Sequence, residues 1–445
     1  FIPDHVQRIV SSNSISLDSK PINNTDTKTE IRKSAICNSI GSGLANLGNS
    51  CYINAAIQCL IHILHEFFLD NKKNKHSSHP SNFCTLCTIV SLASRSLSIQ
   101  KPSKPLHLHK LVNNVSNINK QFKRGKQGDS HEFLRSAIDQ IQQSLTGAKL
   151  NIEKEQKTVL FQYIGGFLQN RVRCSVCDNS DVVSDPFMDL SLDLPPPFKQ
   201  DSSKSNKSTL QSCLQHYFSE ETISKVYGIT GDSICKNCKS PKAKLLKKFS
   251  IDSSPNFLTI HLKRFYINRN SNNKITMTKN NSFISYPDIL DLSPFVKNDF
   301  SDIARNDNQR YSLQCMIIHL GNSIKSGHYI AIIKQPSQSP ISKWFIFDDE
   351  RVEPINPSQV WSYRPYILIY KKLKSGLKAE KHITNLSNSF ISPSSEIIKP
   401  KSINFGENKD YNLFDKHFEP NKRSKAPENS RKFRKKYKIK CTRKF

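Results

Sequence analysis

Three side chains that could together perform thiol chemistry lie far apart in this sequence of 445 residues. The first, Cys51, follows Gly48-Asn49-Ser50 and begins a segment with helical periodicity. Gly48 allows a sharp turn, and Asn49 or Ser50 could cap the helix. A thiol at a helix N-terminus loses its proton more readily because the helix dipole is positive there, and the thiolate is the nucleophile. The alternative is a buried cysteine that only packs at the start of a helix.

A base and an orienting carboxylate follow near the end of the sequence. His328 stands in Gly327-His328-Tyr329, where a glycine-containing loop enters a strand, and its imidazole could take the thiol proton. Asp348 and Asp349 follow an aromatic run and could orient that imidazole through its second ring nitrogen. His328 could instead be an isolated histidine without a catalytic role, and the two aspartates could belong to an ordinary turn at the end of a strand. None of these signals therefore decides the function alone.

Cysteine pairs form a second group of candidate ligands. Six of the twelve cysteines occur in three C-x-x-C pairs, namely Cys84/Cys87, Cys174/Cys177 and Cys235/Cys238. The two later pairs are flanked by polar, turn-forming residues, and their spacing suits tight turns that direct thiolates at one tetrahedral metal ion. The first pair lies among apolar residues, so we predict packing in a core helix there. Twelve cysteines in so long a chain favour a reducing compartment over a disulfide scaffold.

The elements that would position these groups change in type along the chain. Apolar residues recur with a 3.6-residue period from Ile53 to Phe68 and again from Leu134 to Ile141, which predicts two amphipathic helices. Later β-branched and aromatic runs predict strands at 257–262, 311–319, 329–333, 344–347 and 365–370. Helices first and strands later predict an α+β fold.

Composition bounds the class of protein. The chain is 36% hydrophobic and carries a net charge of +29. No stretch of about 18 apolar residues is present, which excludes a membrane-spanning helix, and the first residues show no signal-peptide pattern. We therefore expect a soluble, intracellular and basic protein.

Both ends of the chain are polar. Residues 1–40 are predicted to be a flexible arm and residues 373–445 a disordered basic tail. The last 25 residues contain 12 Lys and Arg against one Glu. Such a run predicts a nuclear or nucleolar address, with contacts to RNA or import receptors. The alternative is a solvated tail on a cytoplasmic protein.

Five sequence blocks, in order, resemble the ubiquitin-specific proteases, the papain-like cysteine deubiquitinases. They are residues 43–54, 127–134, 260–265, 311–329 and 343–349, within a resemblance that spans about residues 40–372. Residues 124–127 and the pair Cys84/Cys87 look most like the nucleolar branch of that family. Departures are Ser50, where Thr is usual, and Gly128 and Ser130 beside Asp129.

The resemblance implies a catalytic domain over residues 41–372. A helical thumb would cover about 41–158, zinc-tipped β fingers about 159–260 and a β-rich palm about 261–372. The two later C-x-x-C pairs, Cys174, Cys177, Cys235 and Cys238, would hold one structural zinc ion at the finger tip.

The implied activity is thiol-dependent hydrolysis of the isopeptide bond at the C-terminal glycine of ubiquitin on protein conjugates. Cys51 would attack, His328 would act as base, and Asp348 would orient it, with Asp349 as a substitute. Asn46 occupies the position of the oxyanion stabiliser, together with the Cys51 backbone N–H; its alternative is loop structure.

Three further residues are predicted to contact ubiquitin: Asp129, Glu132 and Tyr329. The two carboxylates lie one helical turn apart and would meet the basic C-terminal tail of ubiquitin. Their alternative role is a capped, solvated helix start.

Two other classes of protein remain as rivals. A non-catalytic ubiquitin-binding scaffold would lack Cys51, His328 or Asp348, and all three are present. A zinc-containing nucleic-acid-binding protein would suit the charge, but the charge concentrates in the tail and the cysteine pairs are too far apart for a compact finger.

Overall fold

The strands form the larger part of the structured chain. The computed structural model describes residues 40–70, 83–97, 104–146, 156–195, 208–223, 235–269, 275–297, 309–323, 326–335 and 342–373. All of them belong to one unit that ends at Leu377. The predicted arm and the predicted tail lie, apart from their inner boundary residues, outside the described residues.

The described helices precede or separate the strands. They are α1 Cys51–Ile63, α2 His65–Asp70, α3 Thr85–Ser96, α4 His109–Asn113, α5 Val115–Ile118, α6 Ser130–Thr146, α7 Val159–Ile164, α8 Leu210–Tyr217 and α9 Pro357–Val360. No described helix is long and apolar enough to cross a membrane.

Fourteen strands occur within the same ranges. They are β1 Gly166–Cys174, β2 Ser180–Phe187, β3 Asp189–Asp193, β4 Glu221–Thr222, β5 Leu245–Ser253, β6 Phe257–Lys263, β7 Phe265–Arg269, β8 Ile275–Lys279, β9 Ile289–Asp291, β10 Arg310–Ser323, β11 Ser326–Lys334, β12 Trp344–Asp348, β13 Arg351–Ile355 and β14 Pro365–Lys372. The five predicted strand runs correspond to β6, β10, β11, β12 and β14.

An eight-stranded sheet forms the centre of the molecule. Its order is β13-β12-β11-β10-β14-β6-β3, with β9 paired to β10 off this path. Side chains alternate between its two faces, so that Ile317 and Ala331 enter one core and Ile318 and Ile330 the other. Because both faces are covered, these strands read as continuous apolar runs rather than as alternating ones, as in other doubly covered sheets.

Helix α1 lies between this sheet and α6. Every residue of α1 except His62 is buried, which matches its packing on β11 on one side and on α6 on the other. The sequence predicted one helix from Ile53 to Phe68, but α1 ends at Ile63 and α2 begins at His65. At the break, the His65 ring bonds the His62 carbonyl at 3.0 Å, in place of the backbone N–H that a continuous helix would supply.

Polar contacts join the helical part to the sheet through α6. The His131 ring stacks on the His261 ring of β6, with centroids 3.7 Å apart. Asp189 of β3, whose side chain is 4% exposed, receives hydrogen bonds from His131 and Arg135. Helix α6, on which α1 packs, is therefore fixed to the sheet that contains β11.

A second, four-stranded sheet has the order β2-β1-β5-β4. Both of its long inner strands, β1 and β5, adjoin turns that carry cysteines: Cys174 ends β1, and Cys235 and Cys238 precede β5. Together the helices and the two sheets give the predicted α+β architecture.

Candidate functional site

The Cys51 thiol lies at the first residue of α1 and is 3% exposed. The chain reaches it through two residues in the left-handed region, Gly48 at φ 89° and Asn49 at φ 52°. Ser50 is the N-cap residue, but its hydroxyl makes no capping bond to the helix. It accepts a hydrogen bond from the Leu47 backbone N–H at 2.9 Å instead, so it holds the preceding loop.

His328 enters from β11, the strand against which α1 packs. The residue before it, Gly327, has φ 153°, and a Cβ there would lie 2.4 Å from the His319 ring. The Gly327 carbonyl accepts a hydrogen bond from the Gln127 side chain at 2.7 Å. A side chain at position 327 would therefore push β11 away from β10 and displace the imidazole.

Two groups interact with the His328 imidazole. Its Nε2 lies 2.5 Å from Asp348 Oδ1, and the Cys51 thiol is its second hydrogen-bond partner. Asp348 first, and then Cys51, raise the pKa of His328 from 6.5 to about 10 against the opposing effect of burial. The same contact lowers the pKa of Asp348. The structure thus brings together the predicted nucleophile, base and orienting carboxylate.

Asp349 faces a different set of partners from Asp348. One carboxylate oxygen accepts from the Asn46 amide at 2.7 Å and the other from the Asn54 amide at 2.8 Å. Burial raises the pKa of Asp349, which these two donors partly offset. His328 hydrogen-bonds Asp348, while both oxygens of Asp349 accept from amides, and the expectation that Asp349 could substitute for Asp348 stays a prediction.

The Asn46 amide is fixed at both ends. Its oxygen accepts from the backbone N–H groups of Gly48 and Ser50 at 3.0 and 3.2 Å, while its nitrogen donates to Asp349. These contacts define which end of the amide carries the donors. One N–H bonds Asp349, and the other remains to bind an anion formed near the Cys51 N–H.

Segment 43–45 holds Asn46 against the turn that contains Asp349. The Leu44 N–H donates to the Asp349 carbonyl at 2.8 Å, and the Gly43 carbonyl accepts from the Leu106 N–H at 2.9 Å. A Cβ on Gly43 would lie 2.1 Å from the Glu350 carbonyl oxygen, so only glycine permits this approach.

The four cysteines Cys174, Cys177, Cys235 and Cys238 meet at the end of the four-stranded sheet. All four sulfur atoms lie within 4.8 Å of one another, with Cys174–Cys238 at 3.8 Å and Cys177–Cys235 at 3.6 Å. A tetrahedral ion with metal–sulfur bonds of about 2.3 Å would place its sulfurs about 3.8 Å apart.

The donor set also suits a metal ion chemically. Hydrogen bonds from the Asn179 backbone, and then from the Asn237 amide, lower the pKa of Cys177 to about 6, whereas burial and the neighbouring thiols raise that of Cys238 to about 11, so Cys177 ionises before Cys238. The cluster fits a tetrahedral metal ion in both distance and chemistry.

A family model described as ubiquitin carboxyl-terminal hydrolase matches residues 42–370. The chain belongs to the ubiquitin carboxyl-terminal hydrolase family. Hydrolase 23 of Arabidopsis thaliana is 27% identical over 74% of this chain and 35% of its own length. The probable hydrolase 16 of Schizosaccharomyces pombe is 29% identical over 82% of this chain and 73% of its own.

A solved structure of this hydrolase family shares the fold. The SAGA Ubp8/Sgf11/Sus1/Sgf73 DUB module bound to ubiquitin aldehyde aligns with a TM-score of 0.62 at 25% identity, over 76% of this chain and 70% of that chain. These matches confirm the predicted family and fold, and with them the predicted class of enzyme, a cysteine-type deubiquitinating hydrolase.

The three residues that were predicted to contact ubiquitin differ from one another in their surroundings. Asp129 caps α6 by accepting from the Glu132 N–H at 2.9 Å and also accepts from the Tyr366 hydroxyl at 2.6 Å. Glu132 accepts from Asn119 at 3.3 Å, and burial raises its pKa. The capping role is thus present, and the ubiquitin role of both carboxylates stays a prediction.

Tyr329 requires a correction. Its side chain is 1% exposed and packs among the residues between α1 and the sheet. The residue alternates with His328 along β11, so its ring points into the core and offers ubiquitin no surface.

The Cys84/Cys87 pair starts α3. Cys84 is buried and its sulfur accepts from the Cys87 N–H at 3.4 Å, as an N-cap does, while Cys87 is exposed. Among the described residues, no group of three or more ligands includes either of them. Packing therefore explains Cys84, as predicted, but not Cys87.

Sequence reasoning missed three supporting residues: Gln127, Asn54 and Tyr366. A signal existed for Asn54, because it is one of the few polar residues in a mostly apolar helix. Gln127 begins the recognised block 127–134, but nothing in the sequence indicated its partner or that of Tyr366, since these partners lie 200 and 237 residues away.

Proposed function

We propose that this chain is a thiol-dependent deubiquitinase that cleaves the isopeptide bond between the C-terminal glycine of ubiquitin and a substrate lysine. The observation that carries the proposal is the position of His328, which bonds Asp348 through Nε2 and has the Cys51 thiol as its other partner. Since Nε2 is occupied, Nδ1 is the ring nitrogen left for the sulfur.

The first half of the reaction follows from this arrangement. His328 takes the Cys51 proton, and the thiolate attacks the carbonyl carbon of the ubiquitin glycine. With a pKa of about 10, the imidazole holds that proton at neutral pH. It then gives the proton to the leaving lysine amine as the carbon–nitrogen bond breaks, which leaves ubiquitin joined to Cys51 as a thioester.

Charge develops on the carbonyl oxygen during the attack. The free N–H of Asn46 and the Cys51 backbone N–H are proposed to bind it, an effect worth about 3–4 kcal/mol for one such donor in other enzymes. Asp349 acts through Asn46 as a positioning residue, because it holds the amide nitrogen in place. Water then attacks the thioester, with His328 as base, and frees the carboxylate of ubiquitin.

Ubiquitin and ubiquitinated proteins are the proposed partners. Support comes from the solved relative, which is bound to ubiquitin aldehyde. We assign Asp129 and Glu132 to contacts with the basic end of ubiquitin on the basis of the motif, and both carboxylates also accept hydrogen bonds within the chain.

A structural zinc ion is proposed for the four-cysteine cluster. Cys174, Cys177, Cys235 and Cys238 would hold it, and when bound it would join the turn after β1 to the turn before β5. Four protein thiolates fill a tetrahedral shell, so the ion would have no position for substrate. Its role is therefore stability of the four-stranded sheet and not catalysis.

A nuclear location, in particular the nucleolus, is proposed from the sequence of the tail, together with contacts to RNA or import receptors. The cytoplasm is the alternative. The support is the charge of residues 421–445, and residues 374–445 lie outside the described part of the chain.

A ubiquitin that carries a C-terminal electrophile tests the proposed activity. The full chain should form one covalent adduct, located at Cys51 by peptide mass analysis. Cys51→Ala should form none while still binding ubiquitin, and Cys87→Ala, which removes an exposed thiol, should react normally. Adduct formation by Cys51→Ala would contradict the assignment, and ubiquitin binding without any adduct from the natural chain would favour a non-catalytic scaffold.

A further inference from the structure

A run of lysines surrounds the second half of the four-cysteine cluster. Residues 235–251 contain six lysines and no acidic residue. Five of these side chains are exposed, and we call them the basic tip: Lys236, Lys239, Lys242, Lys244 and Lys248. The sixth, Lys247, differs from them because it pairs with Glu221 at 3.5 Å and lies over the Phe249 ring.

The backbone that carries the basic tip is held in place. The Lys239 N–H donates to the Cys235 carbonyl at 2.9 Å, within the cysteine turn. Lys244 exchanges two bonds of 2.9 Å with Ser175: its N–H donates to the Ser175 hydroxyl, and its carbonyl accepts from the Ser175 N–H. The charges therefore project from a structured turn and from strand β5.

Four of these charges have no ion-pair partner among the acidic residues that the structure describes. Arg173, on the adjacent strand, bonds both Asp178 and Glu220. Within the described ranges, no such ion pair is formed by four members of the basic tip, Lys239, Lys242, Lys244 and Lys248. Their ammonium groups face solvent from one short segment of chain and repel one another, which a polyanion would relieve.

The composition of this surface separates two kinds of partner. Protein–protein interfaces are depleted in Lys and place aromatic and aliphatic side chains at their centre. Among the described residues, the exposed large apolar side chains on this sheet and its tip are three valines, Val176, Val182 and Val183, and none is aromatic. Nucleic-acid interfaces, in contrast, are strongly positive, and lysine contacts phosphate as a point charge.

We propose that the basic tip binds the phosphate backbone of a nucleic acid without reading its sequence. The surface is distinct from the Cys51–His328 site and does not rest on the proposed isopeptide chemistry. Each lysine that contacts a phosphate should release one condensed counterion, so binding should weaken steeply with salt.

The test uses the full chain and the variant K239Q/K242Q/K244Q/K248Q. Affinity for labelled 20-base-pair DNA and RNA duplexes of one sequence is measured by fluorescence anisotropy at several salt concentrations. The matched control, K104Q/K120Q/K123Q/K343Q, removes the same charge from exposed lysines elsewhere. Because all three proteins keep residues 374–445, the contribution of that basic tail is the same in each.

For the tip variant we expect affinity to fall about tenfold or more near physiological salt. The slope of log K against log salt should become less negative by about 0.9 per lost phosphate contact, or about 3.6 for four on DNA. The control should change little. Equal losses in both variants, or none in either, would overturn the proposal, and the DNA and RNA arms show which nucleic acid is preferred.

A second measurement reports on the site itself. Acetylation of the natural chain by a lysine-reactive ester, with and without duplex, should show protection of Lys239, Lys242, Lys244 and Lys248 and none of Lys104 or Lys343. Protection by a poly-glutamate peptide but not by either duplex would assign the tip to an acidic protein and refute the nucleic-acid proposal. A thermal melt of the variant close to that of the natural chain excludes misfolding as the cause.

Discussion

Asp348→Asn should separate the charge of the orienting residue from its shape. The amide can still accept a hydrogen bond from His328 Nε2, but it no longer carries a negative charge. Asp348 is the largest of the influences that raise the pKa of His328 from 6.5 to about 10. That difference corresponds to about 5 kcal/mol in the free energy of protonation, shared by Asp348 and Cys51 against burial.

The expected result has three parts. A nearby opposite charge changes a pKa by about one to three pH units. Removal of the Asp348 charge should therefore lower the pKa of His328 from about 10 to between roughly 7 and 9. The value of kcat should fall by up to about 10,000-fold, the loss that follows when the orienting aspartate of a Ser-His-Asp triad is replaced by asparagine.

The third part concerns stability. Because the folded pKa of His328 is raised above 6.5, its stabilising effect is complete below pH 6.5 and is lost as pH rises through about 10. Asp348→Asn should therefore lower Tm near pH 6.5 and have little effect above pH 10.

The assay is an NMR titration of the His328 ring, run beside kcat/KM on a ubiquitin substrate and Tm over the same pH range. The matched control is Asp349→Asn, because Asp349 bonds Asn46 and Asn54 and not the imidazole. It should lower kcat because Asn46, the proposed oxyanion donor, loses a charged partner, and it should lower the pKa of His328 less than Asp348→Asn does, because Asp349 acts on the imidazole through its charge and not through a hydrogen bond. If the natural His328 titrates near 6.5, or if Asp348→Asn leaves its pKa unchanged, the reasoning is refuted.

Three further variants test the structure at other places. Cys177→Ser should reduce bound zinc from one ion per chain and lower Tm, whereas Cys87→Ser should do neither; metal analysis showing no zinc in the natural chain would contradict this. Gly128→Ala should destabilise the fold by about 1–3 kcal/mol in urea, because the new Cβ would lie 2.8 Å from the Tyr52 ring; an unchanged midpoint would disagree. Deletion of 421–445 should shift the protein out of the nucleus and leave its turnover of a small ubiquitin substrate nearly unchanged, as fluorescence imaging and specific activity would show.

Strands of the central sheet were predictable because their environment is uniform. β10, β11 and β14 contact apolar groups on both faces, so each reads as a continuous run of β-branched and aromatic residues. Helix α1 was recognisable for a related reason. Its apolar residues recur with the 3.6-residue period of an α-helix.

The four-stranded sheet shows the opposite case. In β2, residues 181–184 are exposed, and Val182 and Val183 remain half-exposed on opposite faces. With neither face buried, hydrophobic residues need not alternate, and no pattern marks the strand. The cysteine pairs predicted the tip of this sheet, but the strands that lead to it had no signal of their own.

Site residues were predictable where chemistry restricts the residue type and not where geometry alone does. A cysteine, a histidine and an aspartate are visible as candidates in any sequence. The tie between Gln127 and the Gly327 carbonyl depends on a contact across 200 residues, and many side chains could have made it.

The two aspartates at the end of β12 show how neighbouring residues of one type acquire separate roles. Asp348 is the last residue of the strand and faces His328, while Asp349 adopts φ 49° in the turn to β13. The left-handed residue reverses the chain and turns its carboxylate toward Asn46 and Asn54. Contact with the imidazole lowers the pKa of Asp348, whereas burial raises that of Asp349. One therefore supports the proton carrier, and the other holds the amide that is proposed to bind the oxyanion.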